Sequence, residues 1–245
     1  MISPQFVYIW YIVINIEITT LYFVIRSKLV YLVCFMELKL KFLHIGCGPK
    51  RKDKTTDIFN SEEWEEVTFD IDPNCNPDIL GSMTDLSMID SDSFDAVYSS
   101  HNIEHLFMHE AEIAAKEFHR VLKDTGYLMI VCPDITSTCE AILEKGPMEP
   151  LYYLRNNNNE IDKNLYVAGI DILYGWRLSI QQGNHYMAHK SAYSEKTLTA
   201  LFLQNGFSKV ASTSRKSFYD INLLAFKNSN LSETEMEDLL KGHVS

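Results

Sequence analysis

From Leu38 to Cys132 the chain repeats one pattern, a short apolar run followed by a polar or helix-periodic segment and another short apolar run. The runs are LKLKFLHI (Leu38 to Ile45), EVTFDI (Glu66 to Ile71), DIL (Asp78 to Leu80), FDAVYS (Phe94 to Ser99) and YLMIVC (Tyr127 to Cys132). Strand-length runs separated by helical periods build βαβ units, so the expectation is an α/β chain with a doubly wound, mostly parallel sheet. A helix is predicted over Glu110 to Leu122, with Ile113, Ala114, Phe118, Val121 and Leu122 on one stripe and Gly126 after it. A second begins at Ser194 and carries Leu198, Leu201 and Phe202, ending at Gly206. Phe207 to Thr213 and Tyr219 to Phe226 read as a closing antiparallel pair.

Two connections break the pattern. Between Pro49 and Glu65 the chain is polar and poorly periodic, and between Asp72 and Asp78 there is no room for a helix, so crossover helices are reduced. Residues 135–193 form a long insertion, rich in aromatic residues and Asn, where insertions commonly carry substrate contacts. The tail, 229–245, is acidic and predicted to be a frayed helix.

A length of 245 residues at 46% hydrophobic content suits one α/β domain with an elaboration. The net charge of −11 argues against a nucleic-acid partner, because phosphate binding needs clustered Lys and Arg. Five cysteines without a C-x-x-C pair suit reduced thiols and a cytoplasmic setting. Phe6 to Ile25 is nearly long enough to span a membrane and is followed by Arg26 and Lys28, but Asn15, Glu17, Thr19 and Thr20 lie at its centre. Residues 1–35 are therefore read as a dispensable extension ahead of Met36, a membrane anchor, or an integrated helix or strand pair, with the main domain at 36–228.

Gly46 and Gly48 flank Cys47 directly after the first strand, where a missing side chain lets a cofactor approach the backbone. A dinucleotide seat would want a third glycine near Arg51, which argues against pyrophosphate. Asp70 and Asp72, at the end of the next strand, place a carboxylate where it can accept both hydroxyls of an adenosine ribose.

The series LHIGCGP, VTFDIDP, GSMTDL, SFDAVYSSHNIEHL and EFHRVLKDTGYLMIVCPD resembles, in order and spacing, the class I Rossmann-like S-adenosylmethionine-dependent methyltransferases. DILYG and YMAH in the insertion are similar to strings in bacterial, type-11-like members. The resemblance implies a seven-stranded sheet with an antiparallel last strand, and S-adenosylmethionine as cofactor. It implies that Gly46, Cys47 and Gly48 pass beneath the methionine and ribose, that Asp70 holds the ribose with Asp72 as second choice, and that Ser82 and Met83 meet adenine. Ser100, His101 and Asn102 would face the sulfonium and the acceptor. His44 stands where the family often has a carboxylate.

His101, His105 and His109 recur every four residues around Glu104, but a helix beginning near His109 leaves no common face, and no metal ligand set is expected. His101, Asn102, Asp134 and His189 are the candidate catalytic residues, with a helix cap as the rival role for Asp134. His185, Tyr186 and His189, with Trp176 and Arg177, form either an acceptor pocket or a packed subdomain core. The reading is a methyltransferase for a small-molecule or saccharide-like acceptor, with a homodimer covering the missing helices as one arrangement. A nicotinamide oxidoreductase or a non-catalytic binding module on the same scaffold stay open as alternatives.

Overall fold

The structure, a computed structural model, describes residues 39–156 and 158–244; the proposed extension or membrane anchor at 1–35 lies outside them. Seven strands form one sheet: β1 (Leu40–Ile45), β2 (Trp64–Asp70), β3 (Ile79–Leu80), β4 (Phe94–Ser100), β5 (Leu122–Pro133), β8 (Lys209–Arg215) and β9 (Asp220–Phe226). Their order is β3-β2-β1-β4-β5-β9-β8. The first five are parallel, and β9 runs antiparallel between β5 and β8. The strand order reverses between β1 and β4, and in open α/β sheets the crevice at that point is where ligands bind. The insertion adds a two-stranded hairpin, β6 (Pro150–Arg155) with β7 (Ile161–Ala168), and two short helices, α4 (Gly169–Tyr174) and α5 (Arg177–Gln181).

Side chains alternate across the strands, so each sheet face has its own core. On one face Leu43, Ile45, Val97, Leu128, Ile130 and Leu223 meet two helices, α2 (Met108–Val121) and α6 (Glu195–Gln204). Leu198, Leu201 and Phe202 are buried as predicted. On α2 the buried stripe is Ala111, Ala114, Ala115, Phe118 and Val121, while Ile113 is exposed. Alanines at three- and four-residue spacing set that face and let the helix lie close to the sheet.

The other face carries Phe42, Ala96, Tyr98, Met129, Val131, Leu224 and Phe226. The β1–β2 connection gives it only a four-residue helix, α1 (Asp57–Asn60), which seats Phe59 there. The β2–β3 connection holds a single 3-10 turn, Pro73–Cys75. The expected frayed tail is instead a packed helix, α7 (Glu233–Val244), whose Met236, Leu240 and His243 are buried. The chain's own C-terminus thus covers the face left bare by the reduced crossover helices. His243 Nδ1 lies 2.8 Å from Thr56 Oγ1 and its Nε2 3.1 Å from the Tyr127 hydroxyl, with the Phe59 ring 4.8 Å away.

That burial holds the His243 imidazole down to about 4, against an ordinary value of 6.5. Below pH 6.5 the unfolded chain takes up a proton that the folded chain refuses until about pH 4. The unfolded state binds more protons in this window, so stability is full above it and falls as the pH drops through it. Urea unfolding at pH 7 and pH 5 is expected to show a loss on the order of 2 kcal/mol that His243→Gln removes.

Among the described residues no helix is long and apolar enough to cross a membrane.

Candidate active site

The loop after β1 is built on backbone. Gly46 N donates to Phe69 O at 2.8 Å, and Gly46 and Gly48 hold φ of +63° and +53°, where a Cβ is strained. Gly48 N donates to Asp70 Oδ2 at 2.7 Å, and Asp72 N donates to Asp70 Oδ1 at 2.8 Å. The Asp70 carboxylate therefore clamps the ends of β1 and β2 together while lining the cleft above them. Arg51, where a third glycine was absent, bridges this loop to the next one. Its guanidinium donates to Gly48 O at 3.2 Å, Cys75 O at 2.9 Å and Asn76 O at 3.1 Å. Burial, then the neighbouring Asp70 charge, push the Cys47 thiol up to about 11, so it is a packed thiol and not a nucleophile.

His44 is buried and pairs with a carboxylate from the adjacent strand, Nδ1 to Glu66 Oε1 at 2.6 Å. Glu66 Oε2 also accepts from Lys52 N at 2.8 Å. The acid expected at position 44 is thus replaced by one reached from β2. At the far rim, Ser82 Oγ and Thr84 Oγ1 are 2.8 Å apart beside Met83. Asp72 caps the Pro73–Cys75 turn, accepting from Asn74 N at 2.9 Å.

At the end of β4 the roles separate. His101 sits at φ +57°, its amide held by Val131 O at 2.8 Å and its side chain about half exposed in the cleft. The Asn102 amide is occupied: Nδ2 donates to Ile45 O at 3.0 Å, Ser100 O at 3.0 Å and Ser99 Oγ at 3.3 Å. A Cβ at Gly46 would overlap Asn102 Oδ1. Asn102 buttresses the glycine loop and is a positioning residue.

Gly46, Cys47, Gly48, Asp70, Asp72, Ser82, Met83, Ser100, His101 and Asn102 all line one cleft of about 570 Å³, but Asp134 and His189 do not. Asp134 is buried as the cap of α3 (Ile135–Lys145), accepting from Thr136 N at 2.9 Å and from Ser214 Oγ at 2.6 Å. With both oxygens engaged away from the cleft, it holds structure and is not placed for catalysis. His189 Nδ1 lies 2.8 Å from Ile172 O, and its ring is 4.9 Å from that of His105. Burial lowers its pKa below the usual histidine value. The insertion's contribution to the cleft is Asn184, His185, Tyr186, Met187 and Lys190. Trp176 and Arg177 stay outside it, Arg177 Nη1 bonding Asp171 Oδ2 at 2.8 Å. Asn184 and Lys190, which flank HYMAH in the sequence, carry no signal of their own there.

Bare glycine backbone beside a clamped carboxylate, at the point where the strand order reverses, fits an adenosyl cofactor. Among known proteins, the family described as a methyltransferase domain matches residues 43–130. No curated protein matches the chain. Its fold is similar to that of PH0226 from Pyrococcus horikoshii OT3, at 17% identity over 82% of this chain and 90% of that one, with a TM-score of 0.50. A SAM-dependent methyltransferase from Archaeoglobus fulgidus aligns at 13% identity, 83% and 93% coverage and a TM-score of 0.48. The citrinin polyketide synthase CMeT domain aligns at 10% identity over 79% of this chain, with a TM-score of 0.48, and the chain spans 48% of that structure's length. Residues 43–130 are thus a methyltransferase domain set in a Rossmann-like seven-stranded sheet, with S-adenosylmethionine as its cofactor.

Proposed function

We propose that the acceptor is a small molecule or a saccharide-like compound, bound between the β1, β2 and β4 loops and the insertion. The observation that carries this reading is the second wall, in which Asn184, His185, Tyr186, Met187 and Lys190 close the same cleft of about 570 Å³. Small-molecule pockets span about 300–1,000 Å³ and mix apolar walls with a few polar groups, as Met187 and Tyr186 do here with Asn184, His185 and Lys190. The net charge of −11 works against a polyanionic acceptor.

In this reading the Gly46–Gly48 backbone underlies the methionine and ribose, and Asp70 accepts from the ribose hydroxyls with the lone pairs its clamp leaves free. Asp72 is the alternative ribose contact. Ser82 and Met83 bound the adenine end, and Ser100 and His101 border the methyl group. S-adenosylmethionine, when bound, supplies an activated methyl group, so alignment of the acceptor provides much of the rate. His101 takes the proton that an acceptor hydroxyl or amine releases, a role of about 10²–10⁴-fold.

His101→Ala is expected to lower kcat by about 100-fold while S-adenosylmethionine affinity stays within about twofold. Unchanged turnover removes His101 from this role. Radiolabelled methyl transfer onto sugars, phenols, amines, protein and RNA tests the acceptor class. Label in the low-mass compounds is expected, and preferential labelling of protein or RNA overturns the proposal.

A further inference from the structure

Glu104 is a buried charge that the cleft chemistry does not use. It lies in the 3-10 turn Ile103–His105 at 1% exposure, and neither carboxylate oxygen has a hydrogen-bond partner among the described residues. His101 Nδ1 is 3.6 Å from Oε1, beyond hydrogen-bonding distance. A buried carboxylate with no hydrogen bond, and with only the half-exposed His101 within ion-pair distance, costs several kcal/mol, so the position suits a cation.

The remaining donors of such a site are already gathered. One potential ligand atom from each of Glu104, His105 and His189 lies within 4.8 Å of the other two. The backbone fastens the two segments, since Lys190 N and Ser191 N donate to Glu104 O at 2.8 and 3.1 Å. His105 Nδ1 lies 3.1 Å from Ala188 O and His189 Nδ1 2.8 Å from Ile172 O. A carbonyl oxygen only accepts, so each Nδ1 carries the proton and each Nε2 keeps its lone pair. Carbonyls that orient imidazoles through the second nitrogen are the outer shell usual around bound metals, and two histidines with one glutamate are a zinc-type donor set. His109, the neighbour in sequence, sits exposed on α2 instead.

We propose that Glu104, His105 and His189 bind one divalent transition-metal ion of the zinc type at the edge of the cleft, which His105 lines. Ligand bonds of about 2.0–2.2 Å require the three side chains to draw together by torsional adjustment, with the two carbonyl bonds as pivots.

The test is Co²⁺ and Zn²⁺ binding to the chelator-treated full chain, with no methyl donor present, so its outcome is independent of the acceptor proposal. One ion per chain is expected, with the visible absorption of tetrahedral or five-coordinate Co²⁺. Glu104→Gln should weaken binding more than about 100-fold, since even outer-shell losses cost about 10–100-fold. His109→Ala should leave it unchanged. Glu104→Gln is nearly isosteric and removes a buried charge, so the metal-free variant should melt no lower than the parent, which keeps the test sound if His189→Ala fails to fold. Absence of binding by the folded chain at about millimolar Zn²⁺ and Co²⁺, or binding indifferent to Glu104→Gln, overturns the proposal.

Discussion

Gly46→Ala is expected to abolish cofactor binding and lower stability together, whereas Gly48→Ala should mainly affect binding. Both glycines hold positive φ, which costs an alanine about 1–2 kcal/mol. They differ in what a side chain would meet. At Gly46 the new methyl overlaps the Asn102 side chain, whose amide is held by Ile45 O, Ser100 O and Ser99 Oγ and cannot turn away without losing those bonds. The strand-end loops must then part, and S-adenosylmethionine affinity should fall by at least about 100-fold, or about 2.7 kcal/mol. At Gly48 a methyl meets nothing within 4 Å, so the fold absorbs only the backbone strain. Calorimetry and thermal melts on both variants check this; a Gly46→Ala chain that melts and binds like the parent contradicts the buttress role of Asn102.

Removal of residues 231–245 should have the largest effect on stability. The helix buries Met236 and Leu240 against Phe59, Trp64 and Phe226, and each fully buried apolar side chain contributes about 1.5–3 kcal/mol. Deletion also uncovers the aromatic side chains beneath it, on a face whose other cover is a four-residue helix. At about 2–4 °C per kcal/mol for a domain of this size, the melting temperature should fall by about 10 °C or more. A truncated chain melting within about 2 °C of the parent would show that the helix is peripheral.

The sequence was informative where local pattern decides structure. Short apolar runs in LKFLHI, FDAVYS and YLMIVC place the strands, and the GCG and FDIDP strings converge on one cleft as the strand-end rule requires. It was less informative where the decision is made at long range. ETEMEDLLKGHV carries Met236, Leu239, Leu240 and Val244 at helical spacing, but the surface that this stripe covers, the bare sheet face, is set by distant parts of the chain. Asp134 ends a strand as a catalytic acid would, yet Ser214, on β8, and Thr136 engage its oxygens. His189 was grouped with an acceptor pocket because its meeting with Glu104 and His105 depends on how the insertion folds back. The β6–β7 hairpin went unpredicted because its strands lie within that insertion and pair only with each other.

Titration of the unmodified chain with S-adenosylmethionine, alongside NADH, tests the central claim most directly. One molecule of S-adenosylmethionine per chain, at about micromolar affinity, and no uptake of NADH are the predicted results. Failure to bind S-adenosylmethionine at about millimolar concentration, or binding of NADH in its place, would contradict the account of the Gly46–Asp70 cleft.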